Sequence, residues 1–191
     1  MLRNRVSKRS LSLIYLGLLL SLAVLAITLR PKAALADEGS RIKGTFTVAA
    51  SVTSNTGGVT YCGGNALALA VEAHGAGYSN LGALSLSLQK TINAPGAMHG
   101  CLTLTAPNGD VLNAIYDGTE GTQNANRFRD GSGTLTFTGG TGRFQDASGS
   151  AQFTAVFSAI YPASSFLGGT TAPLQVEAFY SVEGSLFLPE E

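Results

Sequence analysis

IKGTFTVAASV, residues 42–52, decides the fold class of this chain. Its larger apolar residues, Ile42, Phe46, Val48 and Val52, fall on even positions, whereas Lys, Thr and Ser occupy odd positions. A period of two over this length is typical of a β-strand with one buried face. The segment therefore predicts one strand of a half-buried sheet.

Seven further segments of the same kind follow, separated by turns rich in Gly, Asn and Pro. An Asn-Gly pair within the turn at 107–110 predicts a tight hairpin, because both residues tolerate positive φ. We predict loops at 74–80 and 117–130, and the chain after residue 36 shows no helical period. The further strands are predicted at 65–74, 81–92, the stretch carrying Leu102 and Leu104, 111–116, 133–138, 150–161 and 174–187.

The composition agrees with short strands and tight turns. Charged residues make up 13% of the chain, about half the usual share, and 24 residues are glycine. Eight strands at this spacing predict a barrel or a sandwich. Closure into a barrel removes the exposed strand edges that invite aggregation. We therefore predict a single all-β domain over 37–191, folded as an eight-stranded antiparallel closed β-barrel.

The first 36 residues carry an export signature. Four cations between Arg3 and Arg9 precede an apolar run at 11–29, and Ala-Leu-Ala at 34–36 offers the small residues that a signal peptidase reads. We predict a signal peptide over 1–36. The alternative is a retained membrane anchor, because the run approaches the roughly 20 residues that span a bilayer. Either way the domain that follows is expected outside the cytoplasm, in the periplasm or the medium.

Charge is divided unequally between these two parts. The first 36 residues hold six cations and no acid, so the rest carries six cations and twelve acids, a net charge of −6. Nucleic-acid binding needs clustered Lys and Arg, and we predict no nucleic-acid partner. Membrane contact is expected only through the N-terminal segment, if it is retained.

Cys62 and Cys101 are the only cysteines of the chain. An oxidising compartment favours a disulfide between them, and the alternative is two separate thiols acting as small hydrophobic residues. We place them at the starts of the second and fourth strands, at one end of the barrel. A bridge would have to pass the third strand, so the sequence leaves both alternatives open.

Residues 133–153, GTLTFTGGTGRFQDASGSAQF, carry a second pattern. This unit of strand, Gly-Gly-Thr-Gly-Arg-Phe, Ala-Ser-Gly and strand resembles bacterial proteins similar to allene oxide cyclase and the dirigent proteins. LTLTAPNGD at 102–110 resembles the hairpin that precedes the unit in that group. The two segments cover a minor part of the domain. The resemblance implies a calycin-like eight-stranded barrel with a central cavity, often trimeric in the plant relatives, so a homo-oligomer is one expected state.

The glycine-rich stretch inside this unit predicts a structural corner and not a phosphate site. A phosphate loop needs a following Gly-Lys-Ser/Thr and a helix, and neither is present. We expect Phe144 to pack into the core, Gly142 to take a backbone conformation that other residues avoid, and Arg143 to pair with a carboxylate or carbonyl. The predicted corner consists of Gly139, Gly140, Gly142, Arg143 and Phe144.

The strand registers predict which residues face the interior. General acid–base chemistry needs a titratable group close to the substrate, so an interior without one favours packing or apolar binding. The strand 111–116 is apolar on both faces and stays unassigned, while Lys90 lies at a strand end where its amine could reach water. We expect Tyr161 and Tyr180 to offer the polar contacts to a ligand. The other predicted interior residues are Ile42, Phe46, Val48, Leu67, Leu69, Val71, Leu84, Leu86, Leu102, Leu104, Leu135, Phe137, Phe153, Phe157, Val176 and Val182.

Two hypotheses about function follow. The first is an exported barrel that binds a small apolar molecule, or serves as a scaffold, without turnover. The second is an isomerase, cyclase or dirigent-like enzyme that acts on an oxidised lipid or a phenolic. The family's catalytic residues cannot be matched position by position, so no catalytic residue is assigned. An outer-membrane barrel is disfavoured, because the chain has few aromatic residues and ends in Pro-Glu-Glu.

No cofactor and no metal site is predicted. His74 and His99 lack a carboxylate or thiolate at ligand spacing, and we expect both to be solvated loop residues.

Overall fold

The structure is a computed structural model, which describes residues 40–93, 95–160 and 174–189. The predicted signal segment 1–36 and Tyr161 lie outside the described residues. Among the residues described, no helix is long and apolar enough to cross a membrane.

Eight strands form a closed antiparallel barrel in the order of the chain. Each strand pairs with the next one, and the last strand pairs with the first. The predicted all-β class and the eight-stranded barrel are therefore confirmed. The strands are β1 (Ser40–Ser54), β2 (Leu69–Ser79), β3 (Gly82–Ile92), β4 (Gly96–Thr105), β5 (Val111–Glu120), β6 (Phe128–Gly140), β7 (Ser148–Ile160) and β8 (Leu174–Phe187).

The two ends of the barrel differ in their connections. One end, here called the loop end, carries the long β1–β2 connection at 55–68, the short β3–β4 turn and the β5–β6 loop at 121–127. The opposite end, here called the corner end, carries the tight β2–β3 and β4–β5 turns and the β6–β7 corner at 141–147. In an up-and-down barrel, successive connections lie at opposite ends. The loop end and the corner end therefore carry different sets of connections.

Strand alternation decides which side chains fill the barrel. On β1 every second residue from Ile42 to Ala50 is buried, and the residues between them are exposed. Burial of apolar surface stabilises this closure by about 25 cal/mol per Å². Most predicted interior residues are indeed buried. Leu69 and Val176 are half-buried, and Leu67 lies in the β1–β2 connection instead of a strand.

One segment predicted as a loop is almost entirely strand, and half of another is strand. β2 begins only at Leu69 and continues through His74 to Ser79, so the loop predicted at 74–80 is wrong. β5 extends to Glu120 and β6 begins at Phe128, which leaves only 121–127 of the loop predicted at 117–130.

Glycines at inward positions explain both errors. A Cβ atom at Gly77 would lie 2.5 Å from the ring of Phe46, and one at Gly131 would lie 2.5 Å from the ring of Phe157. These glycines leave space for large rings that reach across from neighbouring strands. The alternation therefore continues with glycine inside and polar residues outside, a composition that imitates a loop.

The corner end is closed by a packed turn after β6. Phe144 is completely buried, and Gly142 has a φ of +57°, in the left-handed region that favours glycine. Arg143 Nη2 donates a hydrogen bond to the Leu81 carbonyl at 3.0 Å, and its Nε lies 3.8 Å from Asp110 Oδ2. The corner thus fastens β6 and β7 to the neighbouring turns.

A disulfide joins Cys62 to Cys101. Neither residue lies at a strand start, contrary to the predicted position: Cys62 belongs to the β1–β2 connection and Cys101 to the middle of β4. The connection passes the outside of β3, where Thr91 Oγ1 donates to the Asn65 carbonyl at 3.0 Å. This route is how the bridge passes the third strand, and the bridge is compatible with an oxidising, exported location.

Candidate functional site

The interior of the barrel is filled unevenly. Toward the corner end the remaining void is only about 20 Å³. Toward the loop end a cavity of about 80 Å³ remains, here called the loop-end cavity. It is bounded by Val48, Ala50, Val52, Leu69, Val71, Ala73, Leu88, Lys90, Ile92, Glu120, Gln123, Arg127, Arg129, Phe157, Val176, Ala178 and Tyr180.

Small side chains at inward positions create this cavity. Ala50, Ala73 and Ala178 stand on three neighbouring strands and are all buried. The void nearer the corner end is instead bordered by larger side chains, including Phe46, Leu104 and Phe137. A mostly apolar wall with a few polar groups is the usual composition of a small-molecule site.

Lys90 brings an amine into the apolar wall. The residue follows Leu88 on the inner face of β3 and is only 4% exposed. Its Nζ lies 4.9 Å from the ring centre of Tyr116, 4.8 Å from that of Phe157 and 3.2 Å from Met98 Sδ. The negative faces of the two rings stabilise the ammonium group.

Gly100 on β4 leaves the space that Lys90 occupies. The two residues are register partners, and a Cβ atom at Gly100 would lie 2.5 Å from Lys90 Cβ. Ile92, the next inward residue of β3, is buried as well. Lys90 is therefore not the last inward residue of β3. The prediction that its amine could reach water at the strand end is wrong.

Burial lowers the pKa of Lys90 to about 8, and the negative charge of Glu120 partly opposes this shift. The pKa falls because the charged amine loses a strong interaction with water in the cavity, whereas the neutral amine loses only a weak one. Near pH 8 about half of the molecules would therefore carry a free amine.

Glu120 is the one acid in the described wall of the cavity. Its side chain is 9% exposed and accepts a hydrogen bond from Arg129 Nη1 at 2.9 Å. Gln123 and Arg127 stand at the mouth on the β5–β6 loop, where Gln123 Nε2 donates to the Arg127 carbonyl at 3.1 Å. With Lys90, the described wall holds three cations and one carboxylate, although the domain as a whole is negative.

Tyr180 lines both the loop-end cavity and the small void beyond it. Its ring meets that of Tyr116 edge-on at 6.4 Å, and the Tyr116 hydroxyl donates to Met98 Sδ at 3.8 Å. Burial raises the pKa of both phenols, so both stay protonated in neutral solution. Both hydroxyls therefore keep their protons, and of the two tyrosines only Tyr180 lines the loop-end cavity.

The strand registers predicted that no ionisable residue except Lys90, at the rim, would face the interior, and this prediction is wrong. Glu120 and Arg129 occupy inward positions as well. The missed signal is the continuation of alternation through glycine: β5 places Gly118 before Glu120, and β6 places Gly131 after Arg129. If glycine is counted as an inward residue, the alternation assigns both Glu120 and Arg129 to the interior.

The two histidines also differ from their prediction as solvated loop residues. His74 is exposed but lies in β2. His99 lies on the outer face of β4, where its Nδ1 hydrogen-bonds Asp117 Oδ1 at 2.5 Å and its Nε2 hydrogen-bonds the Cys62 carbonyl at 3.3 Å. The ring thus contacts the disulfide-bonded connection and takes no part in the loop-end cavity.

Two wider depressions, of about 460 and 630 Å³, lie on the outer face of the sheet. Their walls consist mainly of Thr, Ser, Ala and Gly with the exposed ring of Phe179, and they lack the convergent polar groups of the loop-end cavity. The interior cavity is therefore the candidate site.

Comparison with known proteins identifies no relative. No protein-family model, no curated protein and no solved structure matches the chain. The fold assignment rests on the barrel itself, and any statement of function rests on the loop-end cavity.

Proposed function

We propose that the barrel binds a small, mostly apolar molecule in the loop-end cavity without turning it over. The observation that carries this proposal is the apolar cavity with a buried amine, in an interior that is otherwise almost filled. Sites for drug-sized ligands enclose roughly 300 Å³ or more. A cavity of about 80 Å³ favours a ligand of only a few heavy atoms.

The polar groups suggest how such a molecule would be oriented. Its apolar part would pack against Val48, Val71 and Phe157, and a polar end would face Lys90 and the Tyr180 hydroxyl. The excess of cations in the wall favours a polar end that is an acceptor or an anion over a cationic one.

A purely structural role accounts less well for Lys90. A pKa lowered from 10.5 to about 8 corresponds to a cost of about 3 kcal/mol for keeping the charged amine buried at neutral pH. A leucine at this position would fill the barrel without that cost. Retention of costly titratable groups in a cavity is more typical of a functional site.

The second candidate is an isomerase or cyclase acting on an oxidised lipid or a phenolic. The observation in its favour is that Lys90, Glu120 and Tyr180 lie around one cavity, since proton transfer needs such groups close to a substrate. Membership in the allene oxide cyclase-like and dirigent-like barrels is likewise a proposal, supported by residues 133–153 and the barrel topology. The small volume of the cavity favours the first candidate.

A matched pair of variants tests the cavity. Ala50 faces the loop-end cavity and its neighbour Ala49 faces solvent, so Ala50→Leu fills the cavity and Ala49→Leu does not. Under xenon pressure, methyl NMR signals of Val48, Val71 and Ile92 should shift in the wild type and in Ala49→Leu, because xenon enters dry apolar cavities. The shifts should vanish in Ala50→Leu. Wild-type methyl signals that xenon leaves unchanged would contradict the proposal.

Native mass spectrometry of protein purified from its own compartment then seeks the natural ligand. We expect a small molecule on the wild type and on Ala49→Leu that is missing from Ala50→Leu. A molecule retained by all three proteins would lie elsewhere, and a chain bare in all three would also count against ligand binding.

A further inference from the structure

We infer that Lys90 is a covalent capture site for small aldehydes, which its amine binds as a reversible imine. The inference rests on the proposed function, because the aldehyde must first enter the loop-end cavity. It goes further by naming the reacting atom, Lys90 Nζ, and the chemical class of the ligand.

The amine of Lys90 is free of any ion pair within the described chain. Glu120, the acid of the cavity wall, is engaged by Arg129 at 2.9 Å. The groups nearest to Lys90 Nζ are instead the rings of Tyr116 and Phe157 and the sulfur of Met98. None of these groups forms a covalent bond with the amine. The lone pair of the neutral amine therefore stays available for reaction.

The charged and titratable groups around Lys90 come from three strands and one loop. β5 contributes Glu120 and Tyr116, β6 contributes Arg129, and β8 contributes Tyr180, with Arg127 at the mouth. β1, β2 and β7 present apolar side chains to the cavity. The desolvated site thus shifts the amine toward its neutral, nucleophilic form, with a pKa of about 8.

Imine formation needs no partner beyond the aldehyde. The lone pair of neutral Nζ attacks the carbonyl carbon, and one proton passes from nitrogen to oxygen to give the carbinolamine. The C–O bond then breaks, the remaining N–H proton leaves with the hydroxide as one water, and a C=N bond joins the former carbonyl carbon to Nζ. No electron is gained or lost overall, and the apolar wall favours the loss of water.

The size of the cavity limits the aldehyde. About 80 Å³ suits an aldehyde of two or three carbon atoms, whose short alkyl part would pack against Ala50 and Val71. An aromatic or long-chain aldehyde would need the barrel to open.

The chain supplies its own control, because Lys43 and Lys90 are the only lysines beyond the N-terminal segment 1–36. The side chain of Lys43 is 73% exposed on the outer face of β1. Roughly a quarter of Lys90 would be free amine at about pH 7.5, against roughly one part in a thousand for a lysine of ordinary pKa. We expect Lys90 to be labelled at least about tenfold faster than Lys43, after allowing for its lower basicity.

The test is reductive trapping with acetaldehyde and cyanoborohydride, followed by peptide mass spectrometry of the ethylated lysines. The Lys90 preference should shrink as the pH is raised toward 10, because Lys90 is then already almost wholly neutral while the neutral fraction of an ordinary lysine still rises. Ala50→Leu should slow labelling of Lys90 and leave Lys43 unchanged, whereas Ala49→Leu should alter neither. Labelling of Lys43 as fast as, or faster than, Lys90 at pH 7.5 would overturn the inference.

The two proposals fail in distinguishable ways. Xenon shifts in the wild type without preferential labelling of Lys90 would leave the cavity as a binding site and remove the covalent step. Absence of xenon shifts would remove the binding proposal whatever the labelling result.

Discussion

The two halves of the barrel interior are built from the same eight strands and have different contents. In the corner half, Phe153 stacks on Tyr116 with ring centres 4.5 Å apart, and only about 20 Å³ is left empty. In the loop half, Ala50, Ala73 and Ala178 line a cavity of about 80 Å³ that also contains an amine. The difference indicates a division along the barrel axis. The corner half stabilises the fold by close packing, and the loop half contains a cavity and a buried amine that lower its stability.

Truncation of one phenylalanine in each half should give the largest effects. Phe153→Ala should lower the free energy of unfolding by about 3–5 kcal/mol, because it leaves a cavity in a packed region. Phe157→Ala should lower it by about 2–3 kcal/mol, since one side of the Phe157 ring already borders the loop-end cavity. Urea denaturation followed by circular dichroism measures both.

Phe179→Ala is the control for this pair, since Phe179 is 53% exposed on the outside of β8. It should change the free energy of unfolding by less than about 1 kcal/mol. Equal losses for Phe153→Ala and Phe157→Ala would mean that the two halves are packed alike.

The pH dependence of stability should come next in size. The folded-state pKa of Lys90, about 8, lies below its ordinary value of 10.5, so the unfolded chain binds more protons between these values. The cost of burying the ammonium is present below pH 8 and is relieved as the pH rises. Relative to Lys90→Met, the wild type should gain about 2 kcal/mol between about pH 7 and 9.5.

Urea denaturation of both proteins at a series of pH values measures this gain, and the range stops before the tyrosines of the unfolded chain ionise. A constant difference between the two proteins would show that Lys90 does not titrate in a buried site.

A smaller effect of pH on the free energy of unfolding is expected from His99, on the outer face of β4. Its hydrogen bond with Asp117 raises the pKa of the ring above 6.5. The resulting stabilisation is fully present below pH 6.5 and is lost as the pH rises through the folded-state pKa. Relative to His99→Gln, which shares the pH dependence of Lys90, the wild type should lose less than about 1 kcal/mol of unfolding free energy over this range. A similar slope in both proteins would assign the pH dependence to other groups.

The sequence was sufficient for the barrel because large apolar residues alternate on most strands, as in Ile42 to Val52. It was insufficient where glycine takes the inward position, because Gly118 and Gly131 then look like loop residues although their strands continue. Lys90 was misplaced for a different reason: only the fold brings the rings of Tyr116 and Phe157 around its amine. The surroundings of the Lys90 amine are thus a product of long-range packing, whereas the inward positions of Glu120 and Arg129 follow from the alternation once glycine is counted.

The most direct test of this account is an NMR titration of the Lys90 side chain in protein labelled with ¹³C-lysine. Lys43→Arg removes the one other lysine of the domain and so assigns the signal. The account predicts a Cε midpoint near pH 8 in the folded protein, which moves to the ordinary lysine value in urea. A folded-state midpoint above about pH 10 would place the amine in water and contradict a cavity built around Lys90.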